Sequence, residues 1–272
     1  MLIAQISDLH VTANGRLAYQ RVDTVAAVEA CVRHLNGLKP QPDVIVATGD
    51  LVDCGLDAEY QVLKALLAPL GRPVLVIPGN HDDRAALSRA FRDAPYLPGT
   101  DGFLHYVVED WPVRLIGIDT VVPGAGHGAL CADRLRWLAD VLAKAPDTPT
   151  VVMMHHPPFR TGIVHMDEIG LLEGTLDLSA IIAGHPNVER ILCGHVHRAV
   201  ERRFAGTIAS ICPSTSHQVA LDLRPGAEAT FALEPPAVQL HLWTGDGIVS
   251  HTSIIGGFPG PYPFFADGTL IT

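Results

Sequence analysis

The sequence contains the stretch ILCGHVH at residues 191–197, in which a short apolar run ends at a glycine and is followed by two histidines. The apolar run is typical of a buried β-strand, and Gly194 indicates that the strand ends there. In an extended chain, side chains two residues apart lie on one face, so His195 and His197 would reach the same site if the chain stays extended. The stretch alone is a weak indication, because histidine pairs are common in loops.

The same pattern occurs four more times, each time with metal-binding residue types after the apolar run. The runs are short and rich in β-branched residues, as in strands that are buried on both faces. They lead into residues 7–10 (SDLH), 48–50 (TGD, with Asp53 just beyond), 78–82 (PGNHD) and 155–158 (HHPP). Ligands bind outside the carboxyl ends of strands in open α/β sheets, so we expect the five strand ends to converge on one site.

The composition excludes several classes of protein. A length of 272 residues with 48% hydrophobic residues predicts one large α/β domain, or a domain with a small appendage, with an ample core. The net charge of −10 and the lack of a Lys/Arg cluster argue against a nucleic-acid partner. No apolar run is long enough to span a membrane, and no leader-like segment precedes the first strand. The five cysteines are scattered along the chain, which is typical of reduced thiols. We therefore expect a cytoplasmic protein that binds neither nucleic acid nor membranes.

Apolar periodicity predicts the secondary structure of the chain. Helices are expected at residues 21–36, 58–67, 84–92, 133–143 and 176–182, and an antiparallel strand pair at 103–108 and 113–118. Residues 159–175 are interpreted as a lid. The helix-poor part beyond residue 206, with strands expected at 207–211, 238–243 and 248–254, suggests a second sheet packed on the first. Residues 256–272 form an apolar tail, which we expect to pack on residues 1–255 or on another copy of the chain.

Seven donor side chains follow the predicted strands, and their types indicate a metal centre. They are Asp8, His10, Asp50, Asn80, His156, His195 and His197. A lone histidine at a strand end is usually an ordinary polar residue, but this explanation does not cover seven donors. A single zinc site needs three or four ligands, so the set predicts two divalent metal ions that share one bridging carboxylate. Imidazole and carboxylate ligands suit Fe, Mn, Zn or Co and do not discriminate among them.

The motifs together resemble those of the calcineurin-like metallophosphoesterases, in particular the class III cyclic-nucleotide phosphodiesterases and the bacterial glycerophosphodiesterases. They are, in the family order, Asp8-x-His10, Gly49-Asp50-x-x-Asp53, Gly79-Asn80-His81-Asp82, His155-His156-Pro157-Pro158 and Gly194-His195-x-His197. The similarity continues through residues 59–62, 166–167 and 217–219. The resemblance implies an α/β (α+β) fold, a two-sheet β-sandwich flanked by helices (the αββα metallophosphoesterase fold), with residues 1–255 as the catalytic domain.

The resemblance also implies which residues bind which metal. Asp8, His10 and His197 would hold one ion, Asp50 would bridge, and Asn80, His156 and His195 would hold the other. His156 rather than His155 follows the His-x-Pro spacing of the family, and adjacent strand residues point to opposite faces, so only one of the two is expected in the site. A neutral carboxamide is a weaker ligand than a carboxylate, so the ion at Asn80 is expected to be the more labile.

The function implied by the resemblance is hydrolysis of small phosphodiesters, either glycerophosphodiesters or cyclic nucleotides, by attack of a metal-bound hydroxide. His81 would lie beside the phosphate, where it stabilises the developing charge or protonates the leaving oxygen. A phosphomonoesterase or pyrophosphohydrolase on the same centre is the alternative. A non-catalytic interaction scaffold is disfavoured, because the complete ligand set and His81 are present.

Further residues are expected to support the site. Asp53, Asp82 and Asp119 are expected to orient ligands or cap turns rather than to bind metal. Tyr19 and His217 are candidates for the substrate pocket, as are the histidine and methionine at 165 and 166. Because related phosphodiesterases oligomerise and the tail is apolar, we expect a homo-oligomer, at least a dimer.

Overall fold

Short strands form the centre of the structure, a computed structural model that describes residues 1–99 and 102–271. The strands are β1 (Leu2–Ile6), β2 (Val44–Thr48), β3 (Val74–Ile77), β4 (Tyr106–Val108), β5 (Arg114–Gly117), β6 (Gly128–Ala129), β7 (Thr150–Met153), β8 (Leu171–Glu173), β9 (Val188–Cys193), β10 (Val200–Phe204), β11 (Thr207–Ile211), β12 (Gln218–Val219), β13 (Phe231–Ala232), β14 (Ala237–Trp243), β15 (Ile248–Ile254), β16 (Phe265–Ala266) and β17 (Thr269–Leu270). The helices are α1 (Thr24–Gly37), α2 (Asp57–Leu67), a 3₁₀ turn (Ala68–Leu70), α3 (Arg84–Ala90), α4 (Ala132–Ala143), α5 (Val164–Asp167) and α6 (Thr175–Ala183).

Two sheets pack face to face, with helices on both outer sides. The first sheet has the strand order β15-β14-β1-β2-β3, and the second has the order β10-β11-β9-β7-β5-β4. Apolar side chains from both sheets, among them Ile3, Val46, Met153 and Leu192, fill the space between them. Helices α1 to α3 cover the outer face of the first sheet, and α4 and α6 cover that of the second. The predicted two-sheet sandwich flanked by helices is confirmed.

Local capping sets where the predicted helices begin. Helix α1 starts at Thr24 rather than at residue 21, because the Asp23 carboxylate accepts a hydrogen bond from the Ala26 N–H at 2.9 Å. Its buried face includes Val28 and Leu35, which contribute to the core under the first sheet. The four-residue helix α5, inside the segment interpreted as a lid, was not predicted because it is only about one turn long.

The three strands expected at 207–211, 238–243 and 248–254 do not form a second sheet together, so that expectation is wrong. Strands β10 and β11 extend the second sheet from the edge of β9, and β14 and β15 extend the first sheet from the edge of β1. The sequence pattern indicates that a segment is extended, but it does not indicate which free edge the segment joins. Strand β10 was not predicted, because its VERRF sequence is polar and largely exposed at the sheet edge.

The C-terminal tail is exposed along residues 256–271, and β16 and β17 pair as a short hairpin within it. The exposed fractions of the large aromatic side chains are 65% for Phe258, 73% for Tyr262, 78% for Phe264 and 60% for Phe265. Across residues 1–99 and 102–271, no helix combines the length and the apolar composition that a membrane crossing requires.

Candidate metal centre

The carboxyl ends of five strands meet at one edge of the sandwich. Strands β1, β2 and β3 are parallel neighbours in the first sheet, and β7 and β9 are parallel neighbours in the second. Backbone hydrogen bonds join the loops beyond these ends. The Asp8 N–H donates to the Gly49 carbonyl at 3.1 Å, and the Gly194 N–H donates to the His155 carbonyl at 3.0 Å. The convergence predicted from the five apolar runs is present.

Five of the candidate ligands adopt a left-handed backbone conformation. The φ angles are +52° at Asp8, +44° at His10, +46° at Asp50, +74° at His195 and +57° at His197. For residues other than glycine this conformation costs about 1–3 kcal/mol each and persists only where the surrounding structure enforces it. The chain from 195 to 197 is therefore not extended, yet both of its histidine rings reach the site.

The first donor group consists of Asp8, His10, Asp50 and His197, whose ligand atoms all lie within 4.8 Å of one another. His10 Nε2 lies 3.2 Å from His197 Nε2 and 3.7 Å from Asp50 Oδ2. His197 Nε2 lies 3.4 Å from Asp8 Oδ1. Two imidazoles and two carboxylates, all buried, thus face one point, which suits a divalent ion.

Outer contacts fix the histidine rings of the first donor group. His10 Nδ1 lies 3.4 Å from Asp53 Oδ1, and Asp53 in turn accepts from the Arg16 guanidinium at 2.7 Å. His197 Nδ1 donates to the His217 carbonyl oxygen at 3.1 Å. His197 thus donates its second ring N–H to a carbonyl, as metal-binding histidines usually do, and the Asp53 carboxylate lies on the same side of the His10 ring, so both rings present Nε2 to the site.

The second donor group consists of Asn80, His155, His156 and His195. The ligand atoms of its three histidines lie within 4.8 Å of one another. Asn80 Oδ1 lies 3.0 Å from His195 Nδ1 and 3.1 Å from His155 Nε2. Asp50 Oδ2 lies 3.4 Å from His155 Nε2, so Asp50 faces both donor groups, as a bridging ligand must.

Both histidines of the HHPP stretch lie at the second donor group, and the expectation that only one enters the site is wrong. Strand β7 ends at Met153, and the chain bends through residues 155 and 156, so the alternation of strand side chains no longer applies. The ring centroids of His155 and His156 lie 5.2 and 4.6 Å from that of His195.

The two adjacent histidines have different neighbours. His155 Nδ1 lies 2.8 Å from the Thr48 carbonyl oxygen, which leaves Nε2 directed at the second donor group. His156 Nδ1 lies 2.8 Å from Thr120 Oγ1, and its Nε2 lies 3.1 Å from the Gly126 carbonyl oxygen. His156 therefore has a protein neighbour at each ring nitrogen, whereas His155 has one nitrogen facing the other donors.

Two glycines allow the loops to approach each other this closely. A Cβ atom at Gly49 would overlap the imidazole of His155, and a Cβ atom at Gly79 would overlap the backbone and carboxylate of Asp50. Gly49 also has a φ of +91°, which other residues rarely adopt. The glycines of the TGD and PGNHD stretches are thus required for close packing around Asp50.

Burial holds most histidines of the site in the neutral form. The pKa of His195 is lowered to about 3 by burial and by the neighbouring His155. Burial and nearby histidines also lower the pKa values of His156 and His197 well below the usual range. Burial opposes the charged form of His155 as well, but Asp50, Asp8 and the Thr48 carbonyl together outweigh burial and raise the pKa of His155 to about 9. Neutral imidazoles are the form that binds metals.

One cavity of about 410 Å³ opens above both donor groups. Its lining includes donors from each group, namely His10, Asp50, Asn80, His195 and His197. The other lining residues are Tyr19, His81, His165, Met166, Ile169, His217, Val219, Ala229, Thr230 and Phe231. The candidate pocket residues Tyr19 and His217 therefore lie beside the donors, together with part of the segment interpreted as a lid.

Sequence reasoning missed Phe231, which forms an aromatic wall with Tyr19 and His217. The Phe231 ring centroid lies 5.2 Å from that of Tyr19 and 5.4 Å from that of His217. Phe231 reaches this position because β13 pairs with β12 next to His217. No motif surrounds Phe231 in the sequence, so only its apolar aromatic character hinted at a role.

His81 lies beside the first donor group without belonging to it. Its backbone N–H donates to Asp50 Oδ1 at 2.8 Å, and its ring Nδ1 donates to the Asp53 carbonyl oxygen at 2.8 Å. Its ring centroid lies 4.6 Å from that of His10. The protein thus holds one ring nitrogen of His81, and Nε2 is available to a molecule in the cavity.

The other two carboxylates expected to play supporting roles fix loops near the site. Asp82 accepts from the Gly79 N–H at 2.8 Å and from the Tyr60 hydroxyl at 2.9 Å. Asp119 accepts two hydrogen bonds from the Arg84 guanidinium, at 2.6 and 2.8 Å. Both carboxylates shape the loops that carry the donors.

The donor groups fit two divalent metal ions. Asp50 faces both groups, and the first group alone supplies two imidazoles and two carboxylates. In the second group, His195 Nδ1 and His155 Nε2 lie 3.0 and 3.1 Å from Asn80 Oδ1, so imidazole and carboxamide donor atoms face one point there. The predicted two-metal centre is confirmed by these two clusters of His and Asp side chains.

The sequence profile of the calcineurin-like phosphoesterases matches residues 1–199. The chain therefore belongs to the calcineurin-like phosphoesterase family. It is 43% identical over 273 residues to the probable glycerophosphodiester phosphodiesterase GpdQ of Arcobacter nitrofigilis, with 100% of each chain covered. It is 33% identical over 216 residues to the 3′,5′-cyclic adenosine monophosphate phosphodiesterase CpdA of Escherichia coli K12, covering 79% of this chain and 76% of that one.

The fold also matches solved structures at low sequence identity. A dimetal phosphatase from Danio rerio superposes with a TM-score of 0.62 at 13% identity, covering 94% of this chain and 99% of that one. This likeness concerns the fold alone. The family, the named relatives and the two donor groups together identify a metal-dependent phosphodiesterase.

Proposed function

We propose that the protein hydrolyses small phosphodiesters, with glycerophosphodiesters as the favoured substrates and cyclic nucleotides as the second candidate. The observation that carries this proposal is one cavity that is lined by donors from each group and by His81. The full-length similarity to a relative named a probable glycerophosphodiester phosphodiesterase supports the first substrate class. The partial similarity to a cyclic-nucleotide phosphodiesterase supports the second.

We assign the ligands as the family resemblance implies. Asp8, His10 and His197 hold one ion, Asp50 bridges, and Asn80, His156 and His195 hold the other. The Nε2 and carboxylate distances within the first donor group support the first assignment. The contact of Asn80 Oδ1 with His195 supports the second. The ring of His155, whose Nε2 lies 3.1 Å from Asn80 Oδ1, positions the carboxamide in this assignment.

The residues of the chain orient the reaction that the metals support. When bound, two divalent ions supply charge neutralisation at the phosphoryl oxygens and activate the attacking water. Asp53 and the His217 carbonyl hold the rings of His10 and His197 in place. His81, held through Nδ1, donates a proton from Nε2 to the leaving oxygen when its ring is protonated. The aromatic wall of Tyr19, His217 and Phe231 shields one side of the cavity from water.

A phosphomonoesterase or pyrophosphohydrolase is the alternative on the same centre, and a colorimetric comparison separates the candidates. With Mn²⁺ added, we expect the protein to hydrolyse bis(p-nitrophenyl) phosphate with a higher kcat/KM than p-nitrophenyl phosphate. It should also release choline from glycerophosphocholine. A clear preference for the monoester would favour the alternative, and no turnover of any substrate would favour a scaffold.

We infer that the protein forms a homo-oligomer in which the C-terminal tail contributes contacts. The exposed aromatic side chains of Phe258, Tyr262, Phe264 and Phe265 support this, because a large apolar patch on a monomer promotes association. Light scattering should give at least a dimer for the full chain and a smaller species for a chain ending at Gly256. A monomeric full-length protein would contradict the inference. The cytoplasm is the proposed location, supported by five unpaired cysteines.

A further inference from the structure

The cavity at the metal centre shares two lining residues with a second, smaller cavity. The larger cavity, of about 410 Å³, is lined by donors from each group. The second cavity, of about 210 Å³, is also lined by His81. Its own lining residues are Cys54, Gly55, Asp82, Asp83, Arg84, Val121, Pro123 and Gly124. Asn80 and His81 line both cavities, so the two spaces meet where the proposed metal ligand adjoins the proposed proton donor.

This arrangement matches the shape of an open-chain phosphodiester. The two ester arms of such a molecule leave phosphorus in different directions, so a phosphate beside Asn80 and His81 can send one arm into each cavity. A 3′,5′-cyclic nucleotide differs, because both of its ester oxygens belong to one ribose and leave the phosphate on the same side. A second cavity is needed only for a substrate with two separate arms.

We propose that the 210 Å³ cavity is the subsite for the glycerol arm of a glycerophosphodiester, and that the larger cavity holds the second alcohol. This inference rests on the proposed function and narrows it to open-chain diesters. At ~30 Å³ per water molecule, the small cavity holds roughly seven water-sized groups. That space suits a glycerol unit.

The lining of the small cavity suits a neutral polyol. Arg84 donates to both carboxylate oxygens of Asp119 and to the Val121 carbonyl at 2.6 Å, so its charge is already compensated. Asp83 Oδ1 accepts from the Ala86 N–H at 2.8 Å, which leaves Oδ2 of this exposed carboxylate as an acceptor for a hydroxyl. A carboxylate beside a compensated arginine favours hydroxyl groups over a second anion.

The larger cavity has a different lining, which suits a bulkier alcohol. Tyr19, His217 and Phe231 form its aromatic wall, and Met166 and Ile169 add apolar surface. Aromatic faces bind an ammonium group such as that of choline through cation–π contacts. The two cavities thus separate a small polar arm from a larger arm.

The test fills the small cavity and compares a substrate that needs it with one that does not. Pro123 is exposed and lines only the small cavity, so Pro123→Trp is the main variant, and Cys54→Phe fills the same space from the opposite loop. Pro95→Trp, at an exposed proline outside both cavities, is the matched control. The substrates are glycerophosphocholine and methyl p-nitrophenyl phosphate, whose methyl arm needs little room.

Filling the cavity should lower kcat/KM for glycerophosphocholine by about 10- to 100-fold, because a misplaced substrate loses productive geometry. The kcat/KM for methyl p-nitrophenyl phosphate should stay within roughly threefold of the wild-type value. The control Pro95→Trp should change kcat/KM for neither substrate. Equal losses on both substrates in both filling variants, or no loss on glycerophosphocholine, would overturn the subsite.

Inhibition of methyl p-nitrophenyl phosphate hydrolysis separates failure of the subsite from failure of the proposed function. Glycerol 3-phosphate should inhibit the wild type more strongly than inorganic phosphate, and Pro123→Trp should remove this advantage while leaving inhibition by phosphate unchanged. If the wild type and the variant show this inhibition pattern but the wild type does not turn over glycerophosphocholine, the proposed substrate is wrong and the glycerol subsite stands. If glycerol 3-phosphate has no advantage, or keeps it in the variant, the subsite is wrong whichever diester is cleaved.

Discussion

The two donor groups share Asp50 but are built differently. The first has a carboxylate of its own, Asp8, and its two histidine rings are each fixed by a contact behind Nδ1. The second has the neutral Asn80 in place of a carboxylate. Since charge and fixed ligands favour tight binding, we expect the first group to hold its ion tightly and the second to exchange its ion more readily. The predictions below test this difference.

The largest effect is expected at the residue that both groups share. Asp50→Ala should lower kcat by ~10³-fold or more, since it removes a ligand of both ions and the charge that balances them. Metal analysis of the same variant should show weaker binding at both positions. Asp57→Ala, at an exposed aspartate of α2, is the control and should behave as the wild type. Near-normal turnover in Asp50→Ala would show that the assignment of Asp50 as the bridging ligand is wrong.

His81 should affect chemistry and leave both ions in place. His81→Ala is expected to lose about 10²–10⁴-fold in kcat on a diester with a poor alkoxide leaving group, because general-acid help is typically of that size. The loss should be smaller with p-nitrophenolate, which leaves without needing a proton. Equal losses on both substrates would mean that His81 stabilises phosphoryl charge or positions the substrate. Loss of a metal ion would make it a ligand.

The adjacent histidines of the second group provide a matched pair. His156→Ala should remove a ligand and leave the second position largely empty. His155→Ala should keep both ions with roughly 10- to 100-fold weaker binding at the second position, as for other residues that orient a ligand. Metal content at a fixed free Mn²⁺ concentration measures the occupancy of the second position in both variants. The reverse ranking would assign the ligand role to His155, whose Nε2 faces Asn80 and Asp50.

The first donor group could be predicted from the sequence almost completely. Asp8, His10 and Asp50 follow apolar runs that become parallel neighbours, so strand periodicity and turn residues are enough to bring their loops together. The backbone conformation was harder to predict. The chain between His195 and His197 has positive φ at both histidines rather than the extended conformation under which the sequence would bring both rings to one site. Strain of this kind depends on long-range packing, which a local pattern does not contain.

The second donor group and the cavity depend more on tertiary structure. The alternation rule fails at His155 and His156 because the chain bends directly after β7. Phe231 could not be predicted as a lining residue, since only the pairing of β13 with β12 brings it over the site. The partners of β14 and β15 were missed for the same reason. Strand pairing between segments that are far apart in the sequence cannot be predicted from a local sequence pattern.

Stepwise metal binding tests most directly whether two unequal donor groups hold two ions. Calorimetric titration of the metal-free full-length protein with Mn²⁺ should give two steps that total two ions per chain, the first of them tighter. Asn80→Ala should weaken or abolish the weaker step and leave the tighter step unchanged. Saturation at one ion per chain, or loss of the tighter step in Asn80→Ala, would contradict the two-group account.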